Sequence, residues 1–280
     1  MKRIAILEFI LASACGMQAH QASPVPQSER TQTSVVEVVD APQQALNERV
    51  YQTLFDKMPP DEKAWERLLR ANLGVYLVWH KEALAKGIAD QWVFVRDDPK
   101  LPRVLLLGDS ISIHYTRAVR TALTGKANVH RAPENCGSTA DGLRKLDVWL
   151  QSAKWDVVHF NFGIHDIDTS ANDYKTRLAQ FTMRLQRTGA KLIWASSTPV
   201  PVKNKYGSDA AIVERNAIAA RIMAQNGVRI DDLYTFILPQ LSRYQHPNDV
   251  HFNEAGCNAL GRQVAASIES ELKQTDPSTQ

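Results

Sequence analysis

The chain has 280 residues, 44% of them hydrophobic, with 33 basic and 30 acidic side chains and a net charge of +3. That length supports one substantial domain plus an extension. So small and scattered a basic excess gives no electrostatic footprint for nucleic acid. The three cysteines, Cys15, Cys136 and Cys257, are too few for a disulfide framework and wrongly spaced for zinc, so neither a metal nor another cofactor is expected.

Residues 1–19 read as an export signal. Lys2 and Arg3 precede the apolar runs Ile4–Leu7 and Phe9–Leu11, which Glu8 interrupts, and Ala12-Ser13-Ala14 follows. A short amphipathic helix is the alternative. Leu11 to Cys15 also resembles a bacterial lipoprotein box, with Ala12 where Leu is usual. The expected location is therefore the bacterial periplasm or cell envelope, with a membrane anchor only through Cys15. No other stretch is long and apolar enough to span a bilayer.

Residues 20–45 lack any period and are rich in Gln, Ser, Thr, Pro and Val, the composition of a flexible linker. Residues 46–102 form a helical extension. Val50, Leu54 and Met58 share one helical face before Pro59-Pro60. Asp61 is placed as the N-cap of a second helix through Trp65, Leu68, Leu69 and Leu73, and Tyr76 to Lys86 makes a third. Trp79 and Trp92 pack the extension against the main domain, with stacking on carbohydrate as the alternative. His80 and His246 are expected in solvent, and His114, His130 and His159 in structural roles.

From Arg103 onward apolar runs and amphipathic stretches alternate five times. Strands are expected at Arg103–Leu107, Asn128–His130, Trp155–Asn161, Lys191–Ser196 and Val228–Ile230. Helices are expected at Ile113–Leu123, Leu143–Leu150, Tyr174–Arg187, Ala210–Asn226 and Glu254–Leu272. Such alternation predicts an α/β three-layer sandwich around a five-stranded parallel sheet, over residues 103–273.

Polar residues follow several strands at the carboxyl edge, where open α/β sheets bind ligands. Ser110 follows the first strand and heads a helix, which suits a nucleophile beside free backbone N–H groups. Asn135, Cys136 and Gly137 follow the second, and Asn161 to Asp166, including His165, follow the third. His251, with Asp249 beside it, lies just before the last helix and suits a base with its orienter. The N–H groups of Ser110 and Gly137, with His165, suit an oxyanion hole. Asn135 and Asn161 either touch substrate or tie loops, and Asp166 caps or braces its own loop. Cys136 and Cys257 form one bridge or remain small buried thiols.

Gly108-Asp109-Ser110, Gly137, Gly163-Ile164-His165-Asp166 and Asp249-Val250-His251, in that order, resemble the signature blocks of the SGNH (GDSL-type) hydrolase superfamily. The resemblance implies a flavodoxin-like fold and a serine esterase with Ser110 as nucleophile and His251 as base. Two places depart from the pattern. His165 stands where the family has an oxyanion-donating Asn. Asn248 stands three residues before His251, where the family has Asp, while Asp249 lies two before it. Asp249 is the preferred orienter, with Asn248 or a Ser–His dyad as alternatives. The expectation is an exported esterase removing a short acyl group, acetyl first, from a small-molecule or glycan ester. An O-acyltransferase, a lipase or thioesterase of the same fold, and a non-catalytic glycan-binding protein are the rivals.

Overall fold

The structure is a computed structural model that describes residues 41–201 and 206–273. The expected signal, Cys15 and the linker before Ala41 lie outside the described residues. Five parallel strands form the sheet: β1 (Arg103–Leu107), β2 (Asn128–Arg131), β3 (Val157–Phe160), β4 (Lys191–Ala195) and β5 (Arg229–Asp231). Their order is β2-β1-β3-β4-β5, which is the flavodoxin-like winding with its switch point between β1 and β3.

Alternation along the strands sends side chains to two cores. Leu105 and Leu107, with Val158, Phe160, Leu192 and Trp194, face one layer. That layer consists of α5 (Thr139–Leu150), α6 (Ala171–Gln186) and α7 (Asp209–Gln225), seated by Trp149, Phe181 and Ile222. Val104, Leu106, Val157 and Ile193 face the other. There α4 (Ser110–Ala122) and α10 (Glu254–Lys273) pack through Tyr115, Val119, Leu260 and Val264. Two short helices, α8 (Leu233–Ile237) and α9 (Leu241–Tyr244), lead to the His251 loop.

The extension forms α1 (Ala41–Lys57), α2 (Pro60–Asn72) and α3 (Tyr76–Ala85). Helix α1 begins at Ala41, so the linker composition extends into the helix beyond where the periodicity placed its start. It buries Asn47 and Tyr51, while Leu54 is exposed. Helix α2 is capped by Pro59 and opens on Pro60, whose preset φ suits the first helical position, so Asp61 lies inside the first turn.

The apolar face expected of α1 is displaced by a polar cluster. His80, expected in solvent, is 0% exposed. Its ring meets Glu66 Oε1 at 3.1 Å and Asp90 Oδ2 at 2.8 Å, and the Tyr51 hydroxyl donates to Glu66 Oε2 at 2.8 Å. Burial disfavours the imidazolium, but the two carboxylates outweigh it and raise the His80 pKa to about 9. Leu69, Leu73 and Trp92 pack on Ile113 of α4, so the extension braces the helix that begins at Ser110. Full burial of each such side chain contributes about 1.5–3 kcal/mol.

Candidate active site

Strand β1 delivers the chain to a tight turn at Gly108. A Cβ there would stand 2.9 Å from Ser112 Cβ, so only glycine lets the chain enter α4 this closely. Asp109 caps the helix, its Oδ1 accepting from the Ile111 N–H at 2.9 Å. Ser110 is therefore the first helical residue, ahead of the start that periodicity placed at Ile113. Its own N–H is among those a helix leaves without an intrahelical acceptor.

The loop after β2 is tied to this turn. Cys136 N–H donates to Gly108 O at 3.1 Å, and Gly108 N–H donates to Cys136 Sγ at 3.2 Å. Cys136 and Cys257 are both free thiols, so the disulfide alternative does not hold. Burial pushes the Cys136 thiol up to about 12, which keeps it protonated. Gly137 has φ +62°, and a Cβ on it would meet Asp141 Oδ2 at 2.6 Å. Its N–H donates to Asn135 Oδ1 at 3.0 Å, and Asn135 Nδ2 donates to the Tyr76 hydroxyl at 3.2 Å. The Gly137 loop is thus strapped to α3 of the extension.

The loop carrying His251 is closed by an antiparallel bridge between Gln245 and Phe252 and by the His246 N–H donating to His251 O at 3.0 Å. Asn248 sits exposed at its tip with φ +59°, a conformation asparagine tolerates. This turn points Asp249 back onto His251. Asp249 Oδ1 lies 2.7 Å from His251 Nδ1 and accepts from the His251 backbone N–H at 3.2 Å. His251 Nε2 lies 2.7 Å from Ser110 Oγ. With Nδ1–H donated to Asp249, Nε2 is free to accept the serine proton. Burial raises the Asp249 pKa, but the bond to His251 and its charge outweigh this and hold the carboxyl below its ordinary value.

The remaining candidates occupy different places. His165 lies part-exposed on a 3-10 turn, Ile164–Asp166, and makes no hydrogen bond to a described residue. Asp166 is buried and braces that turn, accepting from Thr139 N–H at 2.9 Å and Thr139 Oγ1 at 2.6 Å. Arg215 holds the same turn from α7, donating to Asp166 O at 3.0 Å. Asn161 Nδ2 donates to Ala195 O at 2.7 Å, so its amide joins β3 to β4. The Asn135 amide is engaged on both sides as described, so both asparagines tie loops. Ser196, Ser197 and Thr198 line a small cavity beneath the turn, with room for about one water at ≈ 10 Å³.

Three residues near the site are not legible from motifs. The His114 ring centroid lies 5.3 Å from that of His251, and the Tyr206 ring meets His251 edge-on at 6.3 Å. Crowding by protein atoms, then the His251 charge, pushes the His114 pKa down to about 4. The His114 side chain is nonetheless exposed at the surface. A helix started at Ser110 would have placed His114 one turn along the same face. Tyr76 comes from the extension, and no local signal connects it to Asn135. Trp92 is buried at 2% exposure, whereas Trp79 is 39% exposed. Among the described residues no group of His, Cys, Asp and Glu side chains is placed to hold a metal ion.

A serine hydroxyl bonded to an imidazole that a carboxylate holds, at the carboxyl edge of a parallel sheet, is the constellation of a serine hydrolase. Residues 106–259 match the GDSL-like lipase/acylhydrolase family, and the chain belongs to that family. Solved structures share the fold at low identity. A lipase/acylhydrolase from Enterococcus faecalis is 19% identical over 61% of this chain and 96% of its own, with a TM-score of 0.55. An acetyl xylan esterase is 17% identical over 59% and 99%, with a TM-score of 0.53. A variant of an acetylxylan esterase from Geobacillus stearothermophilus is 14% identical over 60% and 94%, with a TM-score of 0.51. No curated protein sequence matches the chain. The family makes this an ester-hydrolysing enzyme.

Proposed function

We propose that this chain is an exported serine esterase that removes short acyl groups, acetyl above all, from a carbohydrate. The observation that carries the reading is the continuous bond from Ser110 Oγ through His251 to Asp249, with both links at 2.7 Å. Ser110 attacks the ester carbonyl while His251 Nε2 takes its proton. Asp249 stabilises the imidazolium that results. The Ser110 N–H at the head of α4 receives the oxyanion, joined by His165 and by the Gly137 N–H. The latter shares its hydrogen between Asn135 Oδ1 and the substrate in a three-centre bond. His251 then protonates the departing alcohol, and a water activated by the same imidazole releases the acid.

Acetyl and carbohydrate are supported by the two acetylxylan esterases among the proteins of the same fold. Export is supported by the Lys2-Arg3 start, the apolar run and Ala12-Ser13-Ala14. The test is hydrolysis of p-nitrophenyl acetate and of acetylated xylan by wild type and by Ser110→Ala. Release of acetate that is lost in the variant is the expected result. Turnover that survives the substitution, or failure of a fluorophosphonate probe to label Ser110, would overturn the proposal.

A further inference from the structure

Helices α4 and α10 both begin at the site and run away from it side by side. Gly261 meets Ala118 and Tyr115, and farther along Lys126 pairs with Glu269 at 2.8 Å. On α4, His114, Arg117 and Thr121 follow Ser110 at i+4, i+7 and i+11, so one polar stripe leads away from the nucleophile. On α10, Glu254, Asn258 and Arg262 recur at i+4 and i+8. The two stripes wall a groove of about 630 Å³, within the range of small-molecule sites, about 300–1,000 Å³. His114 closes its near end against the His251 ring.

The charge in this groove is unbalanced. Arg117 and Arg262 are exposed, and neither guanidinium has a carboxylate partner among the described residues. Glu254 is the one carboxylate on the wall. Other arginines do meet carboxylates, as Arg103 meets Asp97 and Arg184 meets Asp147. A pair of unmatched planar forks suits a carboxylate or sulfate held by paired hydrogen bonds. The Asn258 amide adds neutral donors and an acceptor of the kind sugar hydroxyls use, and the Thr121 hydroxyl, which donates to Arg117 O at 3.0 Å, adds an acceptor.

We propose that this groove is a subsite for the alcohol side of the substrate, and that it selects glycans bearing an anionic group near the acylated sugar. The proposal rests on the esterase reading above and names its substrate class. Carboxylate and sulfate share the recognising chemistry, and the experiment separates them. Initial rates are measured on an acetylated polyuronate, an acetylated sulfated glycan and acetylated neutral xylan, at low and at raised salt. Wild type is expected to favour one anionic substrate at least tenfold in kcat/KM, with the preference shrinking as salt rises. The favoured polymer identifies the anion. Arg117→Ala with Arg262→Ala is expected to reduce the anionic-to-neutral ratio at least tenfold, mainly through KM. Arg117→Lys with Arg262→Lys is expected to retain part of it. A wild type that cleaves all three substrates equally, or a ratio that the alanine substitutions leave intact, overturns the subsite while the esterase stands. A wild type that releases acetate from none of them overturns the esterase reading itself.

Discussion

Replacing Asp249 and Asn248 separately asks which residue orients the base. The carboxylate of Asp249 contacts His251 Nδ1 at 2.7 Å, but its side chain is 39% exposed while that of His251 is 17% exposed. Charge centres about 4 Å apart attract by about 4 kcal/mol at an effective dielectric of about 20 and by about 1 kcal/mol in bulk water. A half-open pair lies between these limits, at about 2–3 kcal/mol, and this attraction is gained as the imidazolium forms. Asp249→Asn is therefore expected to lower kcat by about 30- to 150-fold, less than the loss of a fully buried triad acid. Asn248→Ala removes an exposed side chain from a turn and is expected to change kcat less than about threefold, with a small fall in stability. Steady-state turnover of p-nitrophenyl acetate by the two variants, with Tm as a folding check, gives the comparison. A larger loss at Asn248, or a loss below threefold at Asp249, would refute the assignment and leave a Ser–His dyad or a neutral orienter.

Two further expectations concern the framework. Gly137→Ala places a methyl group 2.6 Å from Asp141 Oδ2 on a backbone at φ +62°, so it displaces the loop proposed to receive the oxyanion; kcat should fall at least tenfold with KM less affected, and an unchanged kcat would remove Gly137 from catalysis. His80 has its folded pKa raised to about 9, from an ordinary value near 6.5 in the unfolded chain. The stability it contributes is fully present below pH 6.5 and is lost as pH rises through about 9. Thermal scans should show Tm falling across that window in wild type. In His80→Leu the fall should vanish and Tm should be low throughout, because Glu66 and Asp90 lose their cation; an identical pH slope in both proteins would count against the cluster.

The sheet was legible because its strands are buried on both faces and read as uninterrupted apolar runs such as Val104 to Leu107. The blocks at Ser110 and at Asp249 to His251 were legible at a strand end and before the last helix, and the structure brings them into contact. The extension was less so. A buried imidazolium between two carboxylates inverts the binary pattern, so Asn47 and Tyr51 turn inward where Leu54 was expected to. Cap positions were also obscured. Asp109 supplies the cap that lets α4 begin at Ser110, while Pro59 takes the place expected of Asp61. The angle at which Asp249 meets His251 depends on the left-handed backbone of Asn248, and spacing alone carries no such information.

Gly261 stands far from any reacting atom, yet a Cβ there would lie 2.4 Å from Ala118 Cβ. Ser110 opens one of the two helices that meet at this point, and His251 lies three residues before the other. The separation of those helices therefore acts as the gauge for the proton's path, and a single methyl group wedged between them would reset it.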